Sequence, residues 1–193
     1  MRTAMLPLLL VGCFPSTDPV DSQPDPSPLE GVLIVKAAGP PPGEQPADHP
    51  DAITQATTAT FNTHAFADGL ATRLEARGMT ATVVDHFDCP ELDCAADASL
   101  EALVFAGPTW LSRLPSQLRD MAEPAGELSP APLRASALAS CESTGQDAVD
   151  SMLEDLMEAG LTTVPGVSLA ADGGVTQQEV DAALEGLAQR LAP

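Results

Sequence analysis

Basic residues are scarce in this chain. Eight Lys plus Arg stand against 28 Asp plus Glu, a formal charge of −20 over 193 residues. That balance excludes nucleic acid as a partner, because no basic stripe exists to neutralise phosphates. An acidic surface instead keeps a domain soluble and steers it toward basic partners, with an attraction that weakens in salt. Tyrosine is absent and there is a single tryptophan, so few rings are available to stack on a flat ligand. No internal repeat, Walker-type phosphate loop, zinc-binding helix or Ser/His/Asp order is present, and His49, His64 and His86 are scattered.

Long apolar runs are also missing. The longest near the start, Ala4 to Val11, is too short to span a bilayer as a helix but suits a signal-peptide core. Leu10-Val11-Gly12-Cys13 closes it and resembles the bacterial lipobox, in which the cysteine is lipidated after cleavage. A plain signal peptide or a misplaced start is the simpler alternative. The following stretch, FPSTDPVDSQPDPSPLE, is rich in proline and acids and cannot bury enough surface to offset its ordering entropy. The expected organisation is a signal peptide over 1–12, lipidated Cys13 with a Pro-rich tether over 13–30, and a domain over 31–193. Such a chain is held on a bacterial envelope membrane by its lipid alone. Phe14, rather than Asp, after the lipidated position points to the outer membrane by the enterobacterial sorting rule.

Within the domain, Gly31 to Ala38 is a continuous apolar run of the kind that forms a strand buried on both faces. The Pro-rich, acidic insertion over 39–56 reads as a loop. Phe61 to Arg77 reads as a helix, with Phe66, Leu70 and Leu74 at i+4 spacing and Gly78 as its C-cap. Strands follow over Thr80–Val84 and Ala102–Ala106, then a helix from Pro115 to about Ala122. Pro132 to Ala139 reads as a weaker strand, Gln146 to Ala159 as an amphipathic helix, and Val164 to Ala171 as a fifth strand. Thr176-Gln-Gln-Glu179 is a capping box opening the last helix. Five strand–helix units predict an α/β three-layer sandwich on a five-stranded parallel sheet.

The most informative stretch is Ala102-Leu-Val-Phe-Ala106, which runs into Gly107-Pro108-Thr109-Trp110 and then Leu114-Pro-Ser-Gln-Leu-Arg119. It puts the lone tryptophan at the carboxyl edge of a sheet, where ligands of open α/β sheets sit. An ordinary strand-to-helix turn with a half-exposed Trp is the bland alternative. The stretch resembles the flavin-ring loop of flavodoxins and related flavoproteins, and the resemblance spans the whole domain. It implies the strand order 2-1-3-4-5, FMN as cofactor, and ring contacts from Pro108, Thr109 and Trp110.

The family's phosphate loop, roughly [TS]-x-T-G-x-T at the head of the first helix, resembles Thr58-Ala-Thr60-Phe61-Asn62-Thr63. The resemblance makes Thr58, Thr60, Asn62 and Thr63 phosphate ligands. Phe61 replaces the family's glycine, and the insertion separates this run from the first strand. A simple helix N-cap is the alternative. The third loop, around Ser140 and Gly145, lacks the aromatic the family often has there.

The function implied is an FMN-binding, membrane-anchored redox protein with a redox partner of its own. An NAD(P)H-dependent quinone or azo reductase is a second reading, although no Gly-rich nicotinamide fingerprint is present. A flavin-less binding module on the same fold is the third, since fold does not imply function. Cys89 and Cys94 in an exported loop point to a local disulfide, leaving Cys141 as an odd thiol. A metal on His86 and these cysteines lacks a fourth ligand. Asp85 reads as a solvated strand end, and Lys36 as marking the exposed end of the first strand.

Overall fold

The structure, a computed structural model, describes residues 30–37, 50–109, 112–141, 145–170 and 175–192, with the backbone alone over 50–61. Five parallel strands form the sheet: β1 (Glu30–Lys36), β2 (Ala81–Asp85), β3 (Ser99–Pro108), β4 (Arg134–Cys141) and β5 (Val167–Ala170), in the order β2-β1-β3-β4-β5. This is the order expected from the sequence. The central strands are apolar on both faces because helices cover both. Val32 and Ile34 of β1, with Val104 of β3, face the layer of α1 (Pro50–Glu75) and α5 (Gln177–Leu191). Leu33 and Val35, with Phe105, face α2 (Ser116–Arg119), α3 (Ala122–Glu127) and α4 (Gly145–Glu158).

Local chemistry sets the ends of these elements. Gly31 opens β1 at φ +82°, with a register shift beside it, and a Cβ there would lie 2.3 Å from the Thr80 carbonyl oxygen. Gly78 follows α1 at φ +81°, and the amides of Gly78 and Met79 bond back to Glu75 and Leu74. The Thr176–Glu179 capping box is formed at the head of α5. Cys89 and Cys94 are joined by a disulfide with a Cα–Cα distance of 5.2 Å, which pins the 3-10 segment Pro90–Ala95 between β2 and β3. With both thiols so used, neither is open to a metal.

Several boundaries differ from expectation. Glu30, expected in the tether, belongs to β1. The first helix begins at Pro50, so residues 50–56 are helical and not loop. Proline is at home in a first helical turn, and Asp51 suits the positive end of the helix dipole. The helix expected from Pro115 is split into α2 and α3, and it carries on to Glu127. β5 starts later than expected, at Val167, preceded by an isolated bridge between Ala135 and Thr163. Cys13, the signal segment and nearly all of the tether lie outside the described residues. Among the described residues, no helix is long and apolar enough to cross a membrane.

Candidate functional site at the carboxyl edge of the sheet

The chain leaves β1 toward one helical layer, through α1, and leaves β3 toward the other, through α2 and α3. Their carboxyl ends therefore flank a topological switch point, where open α/β sheets leave a crevice. In register, Lys36 of β1 lies beside Ala106 of β3 and Asp85 of β2. Backbone bonds tie this edge together: Ala37 N–H donates to Ala106 O at 2.9 Å and Thr109 N–H to Ser140 O at 2.8 Å.

Gly107 and Pro108 end β3, and α2 returns directly over them. A Cβ on Gly107 would meet Leu118 Cδ1 at 2.9 Å and Pro115 Cδ at 3.0 Å. That close approach fixes the strand exit at Pro108 and Thr109, which Trp110 follows in sequence. Trp110 itself lies outside the described residues. At the third loop, Gly145 heads α4 with no room to spare: a Cβ would lie 2.2 Å from Ser168 Oγ and 2.5 Å from Cys141 Sγ. Cys141 is buried and free of any disulfide. Residues 142–144 are not described.

The threonine-rich run behaves differently from expectation. Residues 58–63 lie inside α1, well past its start at Pro50. In a helix interior each N–H donates to the carbonyl four residues back, so these amides are already used. The backbone cradle that a phosphate needs does not fit this segment. Nothing is described of the side chains of Thr58, Thr60 and Phe61, while Asn62 is half-buried. Thr63 is 1% exposed and donates to Ser140 Oγ at 3.0 Å. The structure thus brings Thr63 and Ser140 together with Thr109, but as a buried bond locking α1 to the end of β4.

The same edge brings together residues that read as unrelated in the sequence. Lys36 is the only lysine in the chain, and its side chain is 17% exposed. It is not the exposed strand end expected. Its Nζ donates to Nδ1 of His64, on α1, at 2.7 Å and lies 3.7 Å from Asp85 Oδ2. An ammonium only donates, so Nδ1 of His64 accepts and its Nε2 carries the proton. Asp85, only 21% exposed, also accepts from the Phe87 amide at 3.2 Å. His86 is buried at 7%, with Nδ1 3.1 Å from Asp85 Oδ1. That contact is close but misaligned, and neither ring nitrogen of His86 has a hydrogen-bond partner among the described residues. The sequence did carry a signal: a sole lysine at the end of a buried strand, with a His four residues after Thr60.

An open groove of about 680 Å³ lies elsewhere, lined by Arg119, Glu123, Asp155 and Glu158 among others. It sits where α4 ends, and a helix running back along a parallel sheet ends at the amino edge of the strands. The groove is therefore remote from the switch point. No group of three or more His, Cys, Asp or Glu among the described residues is placed to hold a metal ion.

No protein-family model matches the chain, and no curated protein sequence matches it. Solved structures do. Oxidised flavodoxin 1 from Bacillus cereus superposes at TM-score 0.57 with 18% identity, over 83% of this chain and 96% of that one. The fold is flavodoxin-like. An NAD(P)H:quinone oxidoreductase from Methanothermobacter marburgensis superposes at 0.57 with 15% identity, over 84% and 96%. The rubredoxin oxygen:oxidoreductase of Desulfovibrio gigas does so at 0.61 with 14% identity, but the flavodoxin-like chain, matched over 84% of its length, covers only 35% of that protein.

Proposed function

We propose that the chain binds a flavin, FMN in the first instance, at the switch point between β1 and β3, and works as a redox protein tethered to a bacterial envelope membrane. The observation that carries the reading is the exit of β3. Gly107 is packed under Leu118 and Pro115, which fixes the strand end at Pro108 and Thr109 that the lone tryptophan directly follows in sequence. A bound flavin would supply the electron transfer, since the cofactor carries that chemistry. The chain's part is to bind and orient the ring through Trp110 and the Pro108–Thr109 backbone, and to set the charge around it. The lipobox-like Leu10–Cys13 and the Pro-rich leash support tethering.

A second reading has its own observation. The threonine-rich run is helical, and Thr63 is bonded to Ser140, an arrangement that suits a flavin-less binding module. Purification separates the two. Yellow protein that releases FMN on denaturation supports the flavin reading; colourless protein that also ignores added FMN removes it. NAD(P)H consumption with a soluble quinone then distinguishes a reductase from a carrier.

A further inference from the structure

We propose that Lys36, oriented by His64, binds a phosphate monoester at the switch point, taking the phosphate of FMN in place of a backbone cradle. The proposal rests on the flavin reading above. It starts from a cost: a lysine held mostly out of water at the end of a buried strand loses hydration that an apolar residue would not need. The only lysine of a chain with 28 acidic residues occupies that position. It does so beside Ala106, at the mouth of the crevice between β1 and β3.

The donor count fits an anion. Lys36 Nζ has three protons, and His64 Nδ1 takes one at 2.7 Å. Asp85 Oδ2, at 3.7 Å, is an ion-pair contact and lies beyond hydrogen-bond length. Two ammonium protons therefore remain without a hydrogen-bond partner among the described residues. The same bond holds the ammonium in place, while the Nε2 proton of His64 points away from it across the ring. Lysine binds phosphate as a point charge and needs no fork geometry. The amides of residues 58–63, the alternative donors, are used inside α1.

His86 completes the arrangement. Asp85 lies between Lys36 and His86, 3.1 Å from Nδ1 of a buried ring whose nitrogens have no hydrogen bond among the described residues. An anion drawing on Lys36 weakens the hold of Lys36 on Asp85, and a small turn of the carboxylate aligns it with His86. The orphaned histidine is then the partner Asp85 takes when the site fills.

The test uses the full chain. FMN and riboflavin are titrated against wild type, Lys36→Met and Lys36→Arg, following flavin fluorescence. In wild type, FMN should bind about 10- to 100-fold more tightly than riboflavin, the size of a charge-assisted bond. That advantage should shrink as salt rises. Lys36→Met should bind both flavins alike with riboflavin affinity unchanged, and Lys36→Arg should keep part of the preference. An FMN preference that survives Lys36→Met, or an equal loss for both flavins, overturns the proposal.

Labelled lysine gives one side-chain NMR signal, because the chain has one lysine. The signal should shift with FMN and with inorganic phosphate, and not with riboflavin. A shift with inorganic phosphate but not FMN overturns the assignment to the flavin. If neither flavin binds wild type, the flavin reading has failed separately: a saturable shift with inorganic phosphate then retains the anion site, and no shift removes it.

Discussion

Trp110 and Thr63 carry the sharpest consequences at the scale of single residues. A single ring stack is worth about 0.5–1.5 kcal/mol beyond area burial. Trp110→Ala should therefore weaken flavin binding roughly 2- to 10-fold while leaving the unfolding midpoint in urea unchanged. An unaltered flavin affinity would place the ring elsewhere. Thr63→Val keeps the shape but removes the buried bond to Ser140 Oγ, and should lower stability by about 1 kcal/mol. Urea unfolding reads that loss, and an unchanged midpoint would contradict the role given to the bond. Thr63 was legible in the sequence by its motif, yet its role was not. Thr63 stands in a run that resembles a phosphate loop, but whether a hydroxyl faces a ligand or a neighbouring strand depends on where the helix starts. Lys36, expected as an exposed strand end, is mostly buried, because burial of one residue at a strand end is decided by α1 and β2, which lie far away in sequence.

Among the elements, α1 and α5 are joined by charge. Arg73 pairs with Asp181 at 2.6 Å, and Arg77 pairs with Glu185. The bond from Arg77 holds the Glu185 carboxyl below its ordinary range. Bonds from the Thr176 amide and then its hydroxyl do the same for Glu179 in the capping box. A carboxyl lowered on folding stabilises above its unfolded pKa and loses that contribution as pH falls through the lowered folded value. The melting temperature should thus fall below the ordinary carboxylate range, and Glu185→Gln should flatten the fall. A variant with the same acid slope as wild type would show the pair to be idle. Thr176→Ala should cost about 1 kcal/mol, read by thermal unfolding at neutral pH.

This capping box, the Gly78 stop and the five strands were all visible in the sequence, because each rests on local patterning. The start of α1 was not. Pro50-Asp51 is an ordinary helix opening, but it follows a Pro-rich stretch, and three later threonines mimic a cap. The split of α2 from α3 likewise depends on packing against β3 and α4, which no window of a few residues contains.

For the whole molecule, the −20 charge and the lipobox-like segment are the features on which the proposed tethering is tested. If the lipobox-like segment directs lipidation, Cys13→Ser should abolish acyl labelling and release the protein from membranes. A wild type that takes up no acyl label would contradict the tether. Topology was readable at this scale because alternating strands and helices leave few arrangements of a parallel sheet. Ligand choice was not, because it depends on side chains that three separate crossovers deliver to one edge. The most direct measurement is a titration of FMN into the purified full chain, with tryptophan emission and flavin fluorescence followed together. One saturable equivalent, quenching both signals, is the predicted result. Protein that stays colourless and leaves both emissions untouched at saturating FMN would contradict the account.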